Sequence, residues 1–242
     1  MSSLRTLKFY ATPVHDCSYL DDQQARTLFV DPRAHVGKAL YSQLSDLGFR
    51  RSGSHIYRPH CEHCQACISV RIPVQAFKPS KTQRRIENRN QDLLIRALPC
   101  QLTAEYYALY ERYICERHQD GDMFPPSPEQ FINFLIEGMQ DSLFYEFRAP
   151  DGQLVAISVC DRLDQGLSAL YTFYDPDLDR RSLGVNAILW LVREAQRQGL
   201  PYLYLGYWVK NCRKMNYKTA YRPLEMLLDG EWQRIQQGSK PD

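Results

Sequence analysis

Residues 167–208 read LSALYTFYDPDLDRRSLGVNAILWLVREAQRQGLPYLYLGYW, and this stretch decides the fold. Apolar and aromatic residues dominate 167–176 and again 201–208, and both runs predict buried strands. Between them, Ser182 is placed to cap the start of a helix that ends at Gly199. A strand, a helix and a second strand in this order predict a mixed α/β sheet, with a ligand cleft where strands splay.

The composition is that of an ordinary folded protein. Of 242 residues, 44% are hydrophobic and 24% are charged, which excludes a disordered, collagen-like or coiled-coil chain. The longest apolar run, 187–192, is far shorter than the roughly 20 residues of a membrane span, and the N-terminus lacks a signal-peptide core. We therefore expect a cytosolic protein, in which eight cysteines indicate metal binding, catalysis or burial rather than disulfides.

Other elements are predicted from the same periodicities. In chain order they are a helix over 35–49, strands at 56–57 and over 68–74, helices over 103–118 and 129–139, strands over 143–148 and 153–160, a short basic helix over 211–221 and a closing strand over 222–228. The N-terminal stretch to about Val30 is predicted to be irregular.

The charge is divided unevenly along the chain. Residues 1–100 carry 15 Lys and Arg against 8 Asp and Glu, whereas residues 101–242 carry 15 against 20. A basic half favours a polyanionic partner, most obviously nucleic acid, and the alternative is charge scattered over a solvated surface. We predict a small basic, cysteine-containing domain over 1–100 and an α/β domain over 101–242.

The stretch CEHCQAC separates Cys61, Cys64 and Cys67 by two residues each. Because the chain can turn back within such a gap, the three thiolates can converge on one ion, as in zinc and iron–sulfur sites. The set is incomplete, and the candidate fourth ligands are Cys17, His60, His63 and Cys100. The spacing does not distinguish zinc, an iron–sulfur centre and reduced free thiols.

Two basic segments are candidates for binding anions. KPSKTQRRIENRNQDL, residues 78–93, suits a phosphate backbone or is simply the solvated face of a helix. LGYWVKNCRKMNYKTAYRP, residues 205–223, has no acidic residue, and its cations alternate with aromatic residues, which suits anionic groups and stacked bases. A helix in this second segment would place Lys214 and Lys218 on one face, where their repulsion favours a bound anion.

Several motifs together closely resemble the bacterial aspartate/glutamate leucyltransferases, which are related to the eukaryotic arginyl-tRNA–protein transferases. The motifs are FYATPVHDCSYL (9–20), GFRRSGSHIYRPHCEHCQAC (48–67), PSKTQRR (79–85), YTFYDPD (171–177), SLG (182–184), LYLGYW (203–208) and KMNYKTAYRPLE (214–225). They extend over most of the chain.

The resemblance implies a function and a fold. Members of this family transfer an aminoacyl group from charged tRNA to the α-amine of a protein that begins with Asp or Glu, which creates a destabilising N-terminus. The expected partners are therefore leucyl-tRNA and such proteins, with neither DNA nor a membrane involved. The C-terminal domain is expected to be similar to the acetyltransferase (GNAT) superfamily. The chemistry needs no cofactor, but relatives imply zinc or an iron–sulfur cluster at Cys17, Cys61, Cys64 and Cys67, although Leu20 replaces the partner cysteine of Cys17 in eukaryotic relatives.

For this reaction we predict catalytic and binding residues. Asp161 is expected to hold or deprotonate the acceptor amine, and Tyr171 or Tyr174 to donate a hydrogen bond to the developing oxyanion. Cations are expected to select the acidic acceptor side chain, because a buried carboxylate needs a partner. The predicted substrate-binding residues are Arg71, Tyr207, Lys210, Lys214 and Lys218, and the predicted tRNA-binding residues are Arg84, Arg85 and Arg89.

The sequence also allows three other functions. The first is the same transfer with arginyl-tRNA as the donor, and the second is a metal-dependent RNA-binding module without catalysis. The third is a small-molecule N-acetyltransferase. The last is disfavoured by the loop that would hold coenzyme A, since Asn186 stands where a small residue normally allows close approach of the pyrophosphate. We therefore expect that coenzyme A does not bind.

Overall fold

A computed structural model describes residues 4–138 and 141–235 and shows a mixed α/β protein. Its strands are β1 Phe9–Ala11, β2 His15–Asp16, β3 Gln24–Ala25, β4 Thr27–Val30, β5 Arg50–Ser52, β6 His55–Pro59, β7 Cys67–Pro73, β8 Leu94–Pro99, β9 Ser142–Arg148, β10 Leu154–Leu163, β11 Gly166–Tyr174, β12 Tyr202–Val209, β13 Leu224–Leu228 and β14 Glu231–Ile235. Its α-helices are α1 Lys38–Asp46, α2 Lys81–Arg89, α3 Ala104–Arg117, α4 Pro128–Phe131 and α5 Leu183–Arg197. A π-helical turn, Ile132–Ile136, continues α4, and Met139 of the helix predicted there lies outside the described residues.

The large sheet has the strand order β14-β13-β7-β12-β11-β10-β9-β8. All of its neighbouring strands are antiparallel except β11 and β12, which are parallel. A parallel pair needs a crossover connection, and α5 provides it. The predicted strand–helix–strand unit and the mixed α/β class are therefore confirmed.

The helix α5 follows the expected sequence signals. Ser182 is its N-cap residue, with φ of 52° and no capping hydrogen bond from its side chain, and Gly199 follows the last turn with φ of 70°. Leu183, Ala187 and Leu191 repeat at i, i+4 and i+8 and are fully or almost fully buried against the sheet. No helix in the described ranges is long and apolar enough to cross a bilayer.

The parallel pairing between β11 and β12 is short. It joins residues 166–168 of β11 to residues 202–204 of β12, and no register continues beyond them. Glycine is required at its start, because a Cβ on Gly166 would lie 2.3 Å from the carbonyl oxygen of Tyr202. Past this point β11 pairs only with β10, and β12 pairs only with β7. We call the separation between residues 169–174 and residues 205–209 the strand gap.

The N-terminal part forms a second sheet with the order β1-β4-β6-β5, and β2 pairs separately with β3. The prediction that the chain is irregular up to Val30 is therefore wrong, because short strands pair there with partners distant in sequence. Strand pairing also crosses the boundary predicted at residue 100. Both β7 and β8 precede that residue, and both belong to the large sheet.

The segment Arg213–Ala220 is a 3-10 helix, not the predicted α-helix. With three residues per turn, residues four apart differ by about a third of a turn and do not share a face. Accordingly, the Lys214 side chain is 65% exposed, whereas Lys218 is 6% exposed. The predicted common face of these two lysines is wrong, and the two side chains have different surroundings.

Candidate active site

One wall of the candidate site is a cluster of tyrosines beside the strand gap. Tyr171 and Tyr174 lie on β11, and Tyr113 lies on the last half of α3. The ring centroids of Tyr113 and Tyr174 are 4.8 Å apart, and those of Tyr113 and Tyr171 are 6.3 Å apart. Gly184 in the first turn of α5 makes room for this cluster, because a Cβ there would lie 3.2 Å from the Tyr174 ring.

The Tyr171 hydroxyl is buried and has no hydrogen-bond partner among the described residues. Burial raises the pKa of Tyr171, and the nearby Tyr113 hydroxyl raises it further. The group therefore stays protonated at neutral pH and has an unused donor. A buried, unsatisfied hydroxyl is costly, so a ligand oxygen would stabilise it.

His118 caps the C-terminal end of α3 and stands at the edge of the tyrosine cluster. Its ring centroid is 5.0 Å from that of Tyr113. Burial lowers the pKa of His118, and the charge of Lys214 lowers it further, so the imidazole is neutral at pH 7. Lys214 itself forms an exposed 2.7 Å ion pair with Asp120, two residues after His118. His118 is thus a proton acceptor in the right protonation state.

The strand gap contains two buried cations, Arg50 and Lys218. Arg50 Nη2 donates to the carbonyl oxygen of Ala169 at 3.3 Å, and Lys218 Nζ donates to that of Tyr207 at 2.6 Å. Burial, followed by the neighbouring Arg50, lowers the pKa of Lys218 to about 7. Beside and within the gap there are thus tyrosine hydroxyls, a neutral imidazole and two basic side chains, and groups of this kind suit transfer of an acyl group to an acceptor that carries negative charge.

Comparison with known proteins identifies the family. The family model of arginine-tRNA-protein transferases matches this chain with its N-terminal part at residues 15–85 and its C-terminal part at residues 105–228. The aspartate/glutamate leucyltransferase of Marinobacter nauticus is 58% identical over 97% of this chain and 99% of its own length. Those of Hahella chejuensis and Pseudomonas fluorescens are 56% and 57% identical over 96% of this chain and 99% and 98% of their own lengths.

The chain belongs to the aspartate/glutamate leucyltransferase family.

The resemblance predicted from the motifs is therefore confirmed, as is the enzyme class, an aminoacyltransferase. Among solved structures, L-PGS from Bacillus licheniformis is 12% identical and has a TM-score of 0.48, over 86% of this chain and 70% of its own. FemX is 8% identical, with a TM-score of 0.47 over 86% of this chain and 81% of its own.

In this family member, Asp161 does not face the strand gap. It is 1% exposed, and both of its carboxylate oxygens are bonded to Arg51, at 2.7 and 2.8 Å. Ser142 and Tyr41 donate to it as well, at 2.7 and 3.2 Å. A carboxylate with its acceptor sites occupied in this way has no position for an acceptor amine. The structure therefore gives Asp161 a structural role, joining β10 to the N-terminal sheet, in place of the predicted catalytic one.

Arg71 is also held by its own chain. Its guanidinium bonds Glu225 at 2.8 Å and Asp46 at 3.0 Å, and it lies 3.5 Å from the Tyr202 ring centroid and 4.1 Å from that of Trp232. With two carboxylates and two aromatic rings around it, the side chain is not free to bind a substrate carboxylate. The predicted acceptor role of Arg71 is not supported by this position.

The remaining predicted substrate-binding residues differ in their surroundings. Lys218 lies in the strand gap, whereas Lys210 is exposed at the end of β12 and Lys214 is paired with Asp120. Tyr207 turns its hydroxyl toward the N-terminal part, where it donates to the carbonyl oxygen of Gly48 at 2.7 Å. Only its backbone carbonyl contacts the gap, through the bond from Lys218.

The basic segment around residue 84 forms a capped surface helix. Ser80 and Gln83 make a reciprocal capping box at the start of α2, and Gln83 and Ile86 are its buried positions. The predicted tRNA-binding residues are all exposed; these are Arg84, Arg85 and Arg89. In the described part of the chain none of the three forms an ion pair, and the guanidinium of Arg89 donates to the carbonyl oxygen of Arg180.

The predicted metal ligands surround one cavity. It has a volume of about 760 Å³ and is lined by Cys17, Cys61, Cys64 and Cys67. Burial and the nearness of the other three thiols raise the pKa of Cys67 to about 12. Thiols crowded in this way have the donor chemistry of a zinc or iron–sulfur site. As positioned, however, no three His, Cys, Asp or Glu side chains in the described ranges form a group that would hold a metal ion.

Neither Arg50 nor His118 is predicted as a site residue from the sequence. Arg50 stands in the quoted motif GFRRSG beside Arg51, and only the fold shows that these neighbours on one strand have opposite surroundings. His118 is the last residue of a predicted helix, and no nearby residue in sequence marks it as facing the tyrosines. His118 is a polar residue at the end of a predicted helix, whereas Arg50 follows the helix predicted over 35–49 and lies in no predicted element.

Proposed function

We propose that this protein transfers leucine from leucyl-tRNA to the α-amine of proteins that begin with Asp or Glu. One observation carries the proposal: near-full-length identity of 56–58% to aspartate/glutamate leucyltransferases. The strand gap supports it, because it offers hydrogen-bond donors for a carbonyl oxygen and cations for an acidic side chain. The reaction belongs to the cytosol, where charged tRNA and new N-termini are present.

The reaction is aminolysis of an activated ester. The neutral α-amine attacks the leucyl carbonyl carbon, a C–N bond forms, and the C–O bond to the tRNA ribose breaks. The amine loses one proton, and the departing ribose oxygen gains one. With a pKa of about 7.7–8.0, a useful fraction of the amine is already neutral near pH 7. Positioning and oxyanion stabilisation therefore contribute more than a strong base.

Named side chains suit each task. The Tyr171 hydroxyl, which has no hydrogen-bond partner in the part of the chain that the structure describes, suits the developing oxyanion, and the nearby Tyr174 suits orientation of the ester. The neutral His118 imidazole suits acceptance of the amine proton. Outside the gap, the exposed arginines of α2 suit the phosphates of the acceptor stem. No step is assigned to a metal, and zinc or an iron–sulfur cluster at the cysteine cavity stays a prediction that metal analysis of anaerobically purified protein tests.

A transfer assay tests the proposal. Purified protein is mixed with tRNA charged with labelled leucine or labelled arginine, and with peptides that begin with Asp, Glu or Ala. We expect leucine transfer to the Asp and Glu peptides and none to the Ala peptide. The matching family model is described as an arginine-tRNA-protein transferase, so the assay includes both charged tRNAs. Transfer of arginine in place of leucine would identify arginyl-tRNA as the donor. Binding of tRNA without transfer, or transfer only from acetyl-coenzyme A, would refute the proposal.

A further inference from the structure

Arg50 and Lys218 occupy the same small space in the strand gap. Arg50 begins β5 of the N-terminal sheet, and Lys218 belongs to the 3-10 helix that follows β12. A Cβ built on Gly206 would lie 3.5 Å from Arg50 Nε and 3.7 Å from Lys218 Nζ. One cation contacts β11 through Ala169, and the other contacts β12 through Tyr207. The pair therefore bridges the two separated strands.

These cations are buried without counter-charge. Each is 6% exposed, and neither forms an ion pair with a described residue. Other buried arginines in the described ranges behave differently, since Arg51 is paired with Asp161 and Arg71 with Glu225. Placing two like charges together away from water is costly, and an anion between them would relieve that cost. Burial and Arg50 together lower the pKa of Lys218, as expected for a cation that lacks a partner.

Most of the donors of the pair are also unused. A guanidinium has five N–H donors and an ammonium has three. With the residues that the structure describes, the side chains of Arg50 and Lys218 make one hydrogen bond each. The ring of Tyr217 lies 5.8 Å from Lys218 Nζ, and this residue is 48% exposed, so solvent reaches a residue next to the pair. The space therefore presents free donors, the charged Arg50 guanidinium and the Lys218 amine, which a bound anion would keep protonated, beside a partly exposed aromatic ring.

We propose that Arg50 and Lys218 together bind the side-chain carboxylate of the acceptor's N-terminal Asp or Glu. The proposal rests on the proposed function and assigns its acceptor specificity. A carboxylate has two oxygens, one for each cation, and hangs on a short flexible stem that reaches a buried site. The phosphates of a tRNA backbone lie on the outside of the RNA. They suit the exposed arginines of α2 better than a buried pair of cations. Asn and Gln are rejected, because an amide leaves both buried charges uncompensated.

The test compares acceptor peptides that differ only in the first residue, Asp or Asn, at saturating leucyl-tRNA. We expect Arg50→Gln and Lys218→Gln each to raise the KM for the Asp peptide by about 30-fold or more and to reduce the preference for Asp over Asn. The KM for leucyl-tRNA should not change. Arg50→Lys should recover part of the preference, and circular dichroism verifies that each variant is folded.

Two control variants and a set of contradicting outcomes accompany this test. Arg33→Gln and Lys38→Gln remove exposed or half-exposed cations distant in sequence from the gap and should leave both KM values unchanged. If folded Arg50 and Lys218 variants keep the wild-type KM and Asp preference, the inference is refuted. A raised KM for leucyl-tRNA alone would also refute it and would assign the pair to a phosphate. Failure of the wild-type protein to transfer leucine refutes the proposed function instead.

Discussion

At the scale of single residues, two neighbouring arginines on β5 have opposite roles. Arg51 is fully paired with Asp161 inside the protein, whereas Arg50 enters the strand gap and forms no ion pair within residues 4–138 and 141–235. Successive side chains of a strand point to opposite faces, so one position decides which environment each arginine enters. The same chemical group is therefore structural at one position and available to a ligand at the next.

The structural role of Asp161 makes a prediction about stability. Asp161→Asn leaves Arg51 buried without its counter-charge, and we expect the free energy of unfolding to fall by about 3–5 kcal/mol. Chemical denaturation measures this change. Asp141→Asn is a control, because its partner Arg162 is 46% exposed, and it should cost less than about 1 kcal/mol. If Asp161→Asn kept its stability but lost the transfer rate, the catalytic role would be restored.

Lys218 makes a prediction about pH. Its pKa in the folded protein is lowered to about 7 from the ordinary value of 10.5. Between these values the unfolded chain binds the proton and the folded chain does not, so the free energy of unfolding rises with pH in this window. The variant Lys218→Met lacks the titrating amine, so its free energy of unfolding should rise less steeply with pH. Between pH 7.5 and 9.5 we expect the slope, measured by urea denaturation, to fall by up to about 1.4 kcal/mol per pH unit. Identical slopes for wild type and variant would contradict the burial argument.

At the scale of elements, the short parallel contact between β11 and β12 controls the gap. The strands meet only at residues 166–168 and 202–204, and the absence of a side chain at Gly166 permits that meeting. On the far side, each strand keeps an antiparallel partner, β10 or β7. Because β11 pairs with β10 and β12 pairs with β7, each strand is held on its outer side. The two strands pair with each other only at one end of the gap.

Gly166→Ala tests this contact. Its Cβ would approach the Tyr202 carbonyl oxygen to 2.3 Å, which the backbone cannot accommodate without moving β11 from β12. We expect a loss of about 1–3 kcal/mol of stability, measured by thermal or chemical denaturation. Gly37→Ala has no heavy atom within 4 Å of the new Cβ and serves as the control. Equal effects at the two positions would show that the close approach is not limiting.

The exposed face of α2 makes a prediction about tRNA. Arg84 and Arg85 are exposed and form no ion pair with a described residue. If they contact phosphates, the double variant Arg84→Gln/Arg85→Gln should lower the slope of log affinity against log salt by about 2. Arg112→Gln is the control, because Asp175 and Asp177 already pair with that arginine. An unchanged slope in the double variant would exclude α2 from the tRNA interface.

At the scale of the whole molecule, local periodicity predicted what depends on neighbours in sequence. The unit β11–α5–β12 follows from apolar runs, a serine at the N-cap position and a terminal glycine, and the structure contains all three elements, although the Ser182 side chain makes no capping hydrogen bond. The insertion of β7 between β12 and β13 depends on pairing with residues far away in sequence, such as Tyr202 with Pro73 and Met226 with Val70, and leaves no local signal.

The candidate site was predictable only in part, for the same reason. Clusters of aromatic and basic residues near predicted strand ends single out Tyr171, Tyr174 and Lys218, and the structure places these residues in or beside the strand gap. Asp161 is likewise a polar residue at the end of a predicted strand. Its carboxylate is instead paired with Arg51, which is distant in sequence. Arg50 enters the gap from another sheet, and sequence order does not show which sheets meet.

The product of one reaction tests the proposed transfer of leucine. Protein, leucyl-tRNA and a peptide that begins with Asp are incubated, and the peptide is examined by tandem mass spectrometry. We expect a single added leucyl residue on the α-amine, none on an N-acetylated copy of the peptide, and none on a peptide that begins with Asn. Leucine on an internal lysine, equal modification of the Asn peptide, or no modification of the Asp peptide would contradict it.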